Sequence, residues 1–285
     1  MICTIYWDLD PVLIHLGSFG IRYYSLCWVI GFVLGYLVVR KLFINEHLDI
    51  GLLDKLLAYV LAGALIGARL GHCYFYDWAY YSHHLLEIIL PIQFTPSGVK
   101  FIGYAGLASH GGTLGVMLAL FFFYMKYKMP LLALFDKLAL VAPLAGAFIR
   151  IGNFFNSEIL GAPSSVPWAV VFAKVDPLPR HPAQLYEAIA YLVIFAVLLI
   201  VYFKTRNKGD GLVFGLSVFL IFTARIFIEY CKEVQEPFEL SMRETIGLDM
   251  GQALSIPFVI LGIIFFIRGM KNKQVTSNSS LKTKI

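Results

Sequence analysis

Charge is what this sequence has little of. Of its 285 residues only 14% are Asp, Glu, Lys or Arg, while 59% are hydrophobic. Soluble domains carry nearer a quarter charged residues, so the composition excludes a soluble globular enzyme and indicates a polytopic membrane protein. Cysteine is also scarce. The four present, Cys3, Cys27, Cys73 and Cys231, show no CxxC or metal-type spacing, which argues against a disulfide framework or a redox motif. There is no HExxH, no compact His/Cys/Asp set, no P-loop and no Rossmann glycine pattern, so neither a metal nor a cofactor is expected. The first residues, MICTIYWDLDPVLI, lack the basic start and small-residue cleavage site of a secretory signal, so the first apolar span is expected to stay in the mature protein. The net charge of +5 raises the question of nucleic acid. The basic residues, however, sit in short loops between apolar runs, which is the pattern of topology determinants.

What is present is a series of long apolar runs. A span needs about 20 mostly apolar residues, and the sequence predicts seven: Phe19–Arg40, Lys55–Tyr74, Ala105–Tyr124, Leu131–Arg150, Ala183–Phe203, Gly211–Tyr230 and Gly251–Ile267. The expected fold is all-α. Glycines at helical spacing, as in GFVLGYL and AGALIGARLG, are read as helix-packing positions. With seven spans the termini face opposite sides. One side then holds fourteen Lys and Arg, from Arg40 to Lys284; the other holds five, Lys100, Lys174, Arg180, Lys232 and Arg243. The excess places the C-terminus in the cytoplasm and the N-terminus outside. Residues 1–268 form one membrane domain with long outer-face loops at 77–103, 161–181 and 232–250. Residues 269–285 form a basic cytoplasmic tail, expected to be disordered.

Charged groups in a span are costly and mark function by default. Placed by depth, they converge. His110 lies at the outer end of span three; Arg150, Asn153, Asn156, Glu158 and Gly161 end span four. His181, Gln184, Tyr186 and Glu187 open span five, Arg225 and Glu229 lie in the outer half of span six, and Gln252 opens span seven. Tyr24 opens span one. The plainer readings are snorkelling for Arg22 and Arg180, a helix-surface ion pair for Arg225 and Glu229, an aromatic belt for Tyr23 and Tyr24, and solvated surface for His83 and His84. Gly111 and Gly112 are read as clearing space beside the His110 imidazole for a ligand. Arg150 and Asn153, three apart, share a helix face, and a guanidinium beside an amide suits a phosphate. At the depth of lipid headgroups that phosphate belongs to a phospholipid. The chemistry implied is metal-free: a base such as His110 and arginines that neutralise phosphate.

The stretch RIGNFFNSEILG (150–161) resembles the signature of the prolipoprotein diacylglyceryl transferase family, approximately G-R-x-G-N-F-x-N-x-E-x-x-G. SHGG around His110, RHPAQLYE around Tyr186, the RIFIEY helix around Arg225 and MGQALSIP at span seven are similar to further segments of that family, in its order. The resemblance implies a seven-span enzyme of the bacterial inner membrane with its active site in the outer-leaflet half. It implies transfer of the diacylglyceryl group of phosphatidylglycerol to the lipobox cysteine of a prolipoprotein, releasing glycerol-1-phosphate. On this reading His110 activates the thiol and Arg150 and Arg225 hold the phosphate. Asn153, Asn156, Glu158, Gly161, Tyr24, His181, Gln184, Tyr186 and Gln252 line the substrate site. Two positions depart from the family pattern: Ile149 stands for the first Gly of the signature, and Ile221 for a Tyr four residues before the span-six Arg. The rival reading is a transporter or flippase for anionic phospholipid. It asks for matching polar groups toward the inner half; Arg69 and Asp136 are the only nearby candidates, and Arg69, in a span running outward, is itself outer, which disfavours transport.

Overall fold

The computed structural model describes residues 5–16, 19–95, 98–101, 106–205, 210–234 and 237–282. Cys3, Gly103, Ala105, Arg206, Lys208 and Lys284 lie outside the described residues. The chain forms two compact units, Met1–Leu42 with Phe135–Ile285, and Phe43–Leu134.

The first unit is built on five long helices: α1 (Tyr23–Asn45), α6 (Leu131–Phe155), α7 (Ala183–Thr205), α8 (Leu212–Glu229) and α10 (Met250–Lys282), with the short α9 (Pro237–Ile246) before α10. The second holds α2 (Ile50–Phe75), α3 (Trp78–Tyr81), α4 (Leu85–Ile89) and α5 (Ser109–Tyr127). Six helices are long and apolar enough to cross a membrane: α1, α2, α6, α7, α8 and Met250–Lys271 of α10. The predicted third span is a helix, α5, but it is not among the six. Its first turn is occupied by His110, Gly111 and Gly112 and its last by Lys126, which leaves a short apolar middle.

Two expectations are corrected. The fold is mostly helical rather than purely so, because seven short strands are present among the described residues. The predicted first span begins too early: Phe19–Arg22 is a strand, β3, paired antiparallel with β2 (Val12–Leu16), and the helix starts at Tyr23. Gly20 suits that hairpin, since a Cβ there would come 2.8 Å from Val12 Cγ1. The helix α10 continues through Lys282.

In the first unit, small residues let the helices meet. Gly31 of α1 lies against Ala145 and Phe148 of α6, and Gly152 of α6 lies under Tyr24. Gly215 of α8 and Gly262 of α10 meet backbone to backbone. Lipid gives no hydrophobic drive to such contacts, so close van der Waals approach carries them. The cytoplasm-facing end expected for α6 and α8 is joined by a buried carboxylate. Asp136 accepts from the Gly211 amide at 3.0 Å and the Phe214 amide at 2.8 Å, satisfying free N–H groups at the start of α8. Ser217 donates to the Ala139 carbonyl at 2.7 Å, so the two helices run parallel. Arg150 is fourteen residues beyond Asp136 and Arg225 fourteen beyond Gly211, and this register carries the two arginines to the same level. A three-stranded sheet of β1 (Ile5–Trp7), β6 (Val170–Phe172) and β7 (Pro179–Arg180) stands at that end.

In the second unit, α2 and α5 cross at glycine. Gly63, Gly67 and Gly71, each four apart, face Gly111 and Gly115 so closely that a Cβ at Gly67 would collide with the Gly111 carbonyl oxygen. The loop after α2 is held by Arg69, which is buried and donates to the Ile88 carbonyl at 3.1 Å and to that of Glu87. The buried Glu87 carboxylate accepts from Tyr80 Oη (2.7 Å) and the Phe94 amide (2.8 Å), Phe94 lying in the hairpin of β4 (Ile92–Thr95) and β5 (Gly98–Phe101). Burial pushes this carboxyl up, but the two donors outweigh burial and leave it below the usual carboxylate range. Arg69 is thus committed to loop architecture and is no inner-half transport charge. His84 is stacked on Tyr80 with ring centroids 4.2 Å apart, so it is not the solvated surface side chain expected.

Candidate active site

The site in the first unit begins with how α6 ends. Ser157 takes a left-handed conformation, φ 54°, its amide donates to the Phe154 carbonyl, and the Glu158 amide donates to that of Asn153. These are the two hydrogen bonds of a Schellman stop, usually built on glycine. Ile159 follows at φ 55°, a left-handed β-branched residue that costs conformational energy and is kept only where the surroundings enforce it. The polarity at the end of span four is therefore the cap and lining of a stopped helix. Asn153 accepts from Arg150 Nη1 at 3.3 Å and donates to Glu158 at 3.1 Å. Asn156 donates to the other Glu158 oxygen at 3.1 Å, and Gln184 donates to the Glu158 carbonyl at 2.6 Å. The expected face shared by Arg150 and Asn153 is present.

Beside it lies a chain of buried charges. Glu187, fully buried on α7, forms ion pairs with Arg150 Nε at 2.7 Å and Lys232 Nζ at 3.0 Å. Lys232 also reaches Glu229 at 3.0 Å, and Glu229 lies 4.0 Å from Arg225 Nε. The expected pair between Arg225 and Glu229 is thus the loosest link, because Glu229 is shared with Lys232. Arg225 Nε has no hydrogen-bond partner among the described residues. Tyr191, one turn beyond Glu187, packs on Gly146 of α6. Lys232 is the member that sequence pattern did not place in the cluster; Glu187 and Glu229 were counted in it without a role.

The strands lock this arrangement. Gly161 forms a β-bridge with Lys232, the Ala162 amide donates to the Cys231 carbonyl at 2.9 Å and the Glu233 amide to that of Leu160 at 3.3 Å. Arg180 is buried and does not snorkel. It binds Asp176 at 2.5 Å, Glu233 at 2.8 Å and the Gly161 carbonyl at 3.1 Å. The Arg180 partner holds the Asp176 carboxyl below its ordinary range.

Not all expected members gather here. Tyr186 lies on the other side of α7 from Gln184 and Glu187. Its hydroxyl accepts from Trp168 Nε1 at 2.6 Å and is 3.1 Å from His181 Nδ1, next to an apolar recess of about 400 Å³ that Trp7, Phe154 and Leu185 help to line. Gln252 belongs to a capping box: its backbone amide donates to Asp249, its side chain accepts from the Asp249 amide, and its NH₂ donates to the Ile226 carbonyl at 3.1 Å. Tyr24 packs on Gly152, and Tyr23 stacks on Phe155 at 4.7 Å. His110 is exposed at the start of α5, in the second unit. Gly111 does not clear space for a ligand beside it, since a Cβ there would strike the Gly67 carbonyl and Gly71 Cα; the missing side chain admits α2.

Fold and site together define a multi-span helical membrane protein with an ion-paired cluster, three cations to two carboxylates, suited to an anion. A family model described as prolipoprotein diacylglyceryl transferase matches residues 11–268, and the chain belongs to that family. It is similar to the phosphatidylglycerol–prolipoprotein diacylglyceryl transferase of Bacteroides fragilis, 47% identical over 277 residues, covering 96% of this chain and 99% of that protein. Proteins of the same name from Tolumonas auensis (40% identical, 94% and 99% covered) and Chloroherpeton thalassium (39% identical, 96% and 98% covered) are also similar.

Proposed function

We propose that this protein transfers the diacylglyceryl group of phosphatidylglycerol to the lipobox cysteine of prolipoproteins, the first step of lipoprotein maturation. The observation that carries the reading is the family match from residue 11 to 268, with the arginine pair in the geometry above. The thiol sulfur attacks the glyceryl carbon that bears the phosphate. The S–C bond forms, the C–O bond breaks with its electron pair, and glycerol-1-phosphate leaves; His110 takes the thiol proton. A thiol ionises near pH 8.5 in water, so a base is needed. The leaving phosphate gains a second negative charge, and guanidinium groups beside it stabilise that charge. Arg150 binds the headgroup with Asn153, and Arg225 meets the developing charge. Asn156, Glu158, Gly161, His181 and Gln184 shape the site around them, Tyr24 packs on the helix that carries Arg150, and Tyr186 and Gln252 hold neighbouring segments.

The placement that goes with this reading is the bacterial inner membrane, with α5 as a seventh span, the N-terminus outside and the active site in the outer-leaflet half. The charge asymmetry supports it. The experiment is a transfer assay in detergent with phosphatidylglycerol and a peptide carrying one lipobox Cys, read by mass spectrometry. A diacylglyceryl mass increase that needs the Cys and disappears in Arg225→Ala supports the reading; lipid binding without any increase transfers the case to lipid transport. A pH–rate profile unchanged in His110→Gln removes that residue as base.

A further inference from the structure

We propose that Lys232 is a positioning residue, acting on Arg150 and Arg225 through the two carboxylates it bridges; this rests on the transferase reading above. Its side chain is 6% exposed and its ammonium lies 3.0 Å from both Glu187 and Glu229. Glu187 holds Arg150 by Nε at 2.7 Å, and Glu229 is the carboxylate nearest Arg225 at 4.0 Å. Lys232 is the only one of the five groups in contact with both carboxylates among the ion pairs described.

Charge counting gives it a purpose. Arg150, Arg225 and Lys232 against Glu187 and Glu229 leave one net positive charge. A phosphodiester headgroup brings one negative charge, so the cluster is matched to such an anion. Without Lys232, two guanidinium groups face two carboxylates, Arg150 against the buried Glu187 and the 38% exposed Arg225 against Glu229, and each arginine is matched by a carboxylate of the protein itself. Ions desolvated together interact strongly, so an incoming phosphate then competes with carboxylates for the same donors. With Lys232 present, part of the carboxylate charge is already spoken for, and Arg225 Nε stays without a hydrogen-bond partner among the described residues.

A stapling role is carried by other atoms. The segment of Lys232 is tied to the loop after α6 through main-chain groups, the Gly161 bridge and the hydrogen bonds of Ala162 to Cys231 and Glu233 to Leu160. Replacing the side chain leaves those bonds in place, so the ammonium acts on charge and arginine position.

The test compares the wild type with Lys232→Met, Lys232→Arg and the double variant Glu229→Gln/Lys232→Met. Two quantities are read: KM and kcat for transfer, and retention of phosphatidylglycerol over phosphatidylcholine in native mass spectrometry. Lys232→Met is expected to raise KM and to lower phosphatidylglycerol retention about tenfold or more. Lys232→Arg keeps both near the wild-type values. The double variant restores a net charge of plus one and recovers most of the lost retention, whereas a structural pair would be damaged further by a second truncation. The inference is overturned if Lys232→Met matches the wild type. It is equally overturned if the double variant, with an unchanged unfolding temperature, is as impaired as the single one. A wild type that retains phosphatidylglycerol but transfers nothing sinks the transferase reading instead, and the retention series still decides the role of Lys232.

Discussion

Gly161 and His181 touch backbone to backbone: a Cβ at Gly161 would strike the His181 carbonyl oxygen, come 2.7 Å from His181 Cβ and 2.9 Å from the Cys231 carbonyl oxygen. Three segments meet at this one residue, the loop that ends α6, the entry to α7 and the exit from α8. Each carries part of the ion network, Arg150, Glu187 and Lys232 in turn. The absence of a side chain at Gly161 therefore sets the spacing of charges several residues away.

Gly161→Ala is expected to insert and fold but to lose transfer. Backbone neighbours cannot rotate aside, and overpacking of this kind costs about 1–3 kcal/mol. The displacement falls on Lys232 and His181, so activity drops further than stability. Thermal unfolding in detergent beside the transfer assay separates the two. Wild-type turnover in Gly161→Ala would falsify the idea that this junction sets the site.

Glu187 is 0% exposed and carries two cations. Glu187→Gln leaves Arg150 without its carboxylate and Lys232 with Glu229 alone. Removing one partner of a buried pair costs about 3–5 kcal/mol. The expected outcome is a lower unfolding temperature together with weakened retention of phosphatidylglycerol, because Arg150 loses the contact that fixes its guanidinium. An unfolding temperature within a degree or so of wild type would show that the network relaxes with ease, contrary to its burial.

Much of this was legible in the sequence, and the failures have physical causes. Apolar length located the helices, and spacing of three placed Arg150 beside Asn153, because both signals are local to one helix. Glu187 and Lys232 are forty-five positions apart, so nothing local shows that they pair. Lys232 follows an apolar span and reads as a topology charge. Gly111 was misread because its use depends on a partner helix: the same missing side chain clears a ligand site or admits a neighbour, and α2 decides it. Gln252 could have been read better. Asp249 three residues before it forms the D-x-x-Q pattern of a capping box, a local signal that accounts for its amide. Phe19–Arg22 is apolar enough to extend a span, but it pairs with Val12–Leu16, a contact that hydropathy does not encode.

The glycine crossing of α2 and α5 has no slack. Gly67→Ala puts a methyl into the Gly111 carbonyl and Gly115 Cα, forcing two backbones apart. A loss of about 1–3 kcal/mol is expected, seen as earlier thermal unfolding or faster proteolysis in detergent. Gly112→Ala serves as the control, since its nearest neighbour, Ala68 Cβ, is at 3.4 Å. Equal behaviour of the two variants would contradict the crossing described.

The pair of Asp176 with Arg180 gives a pH signature outside the spans. The Arg180 hydrogen bond, with the Leu178 amide behind it, lowers the Asp176 carboxyl in the folded protein. A carboxyl lowered on folding adds stability above its unfolded value, near pH 3.9, and that stability is lost as pH falls through the folded value. The wild type should therefore unfold at a higher temperature than Asp176→Asn at neutral pH. The gap should close as the pH drops below about 4. A gap that does not change between neutral and acid conditions would assign the effect of Asn to packing and not to charge.

Arg150 and Arg225 stand at one level on parallel helices, yet they are held differently. Arg150 is gripped at Nε by Glu187 and at Nη1 by Asn153, a fixed fork suited to a group already charged in the ground state. Among the described residues Arg225 meets Glu229 at 4.0 Å and has no hydrogen-bond partner at Nε, a looser hold that, under the proposed reaction, lets it follow charge as it appears on the departing phosphate. Loss of a donor aimed at developing charge costs about 10²–10³ in kcat, while loss of uniform binding raises KM and spares kcat. Arg225→Ala is therefore expected to act chiefly on kcat and Arg150→Ala chiefly on KM for phosphatidylglycerol. Arg225→Lys should recover little, since an ammonium cannot reproduce a planar fork. Steady-state kinetics over a range of lipid concentrations reads the split directly. The reverse pattern, with Arg150→Ala abolishing turnover while lipid retention stays intact, would exchange the two roles.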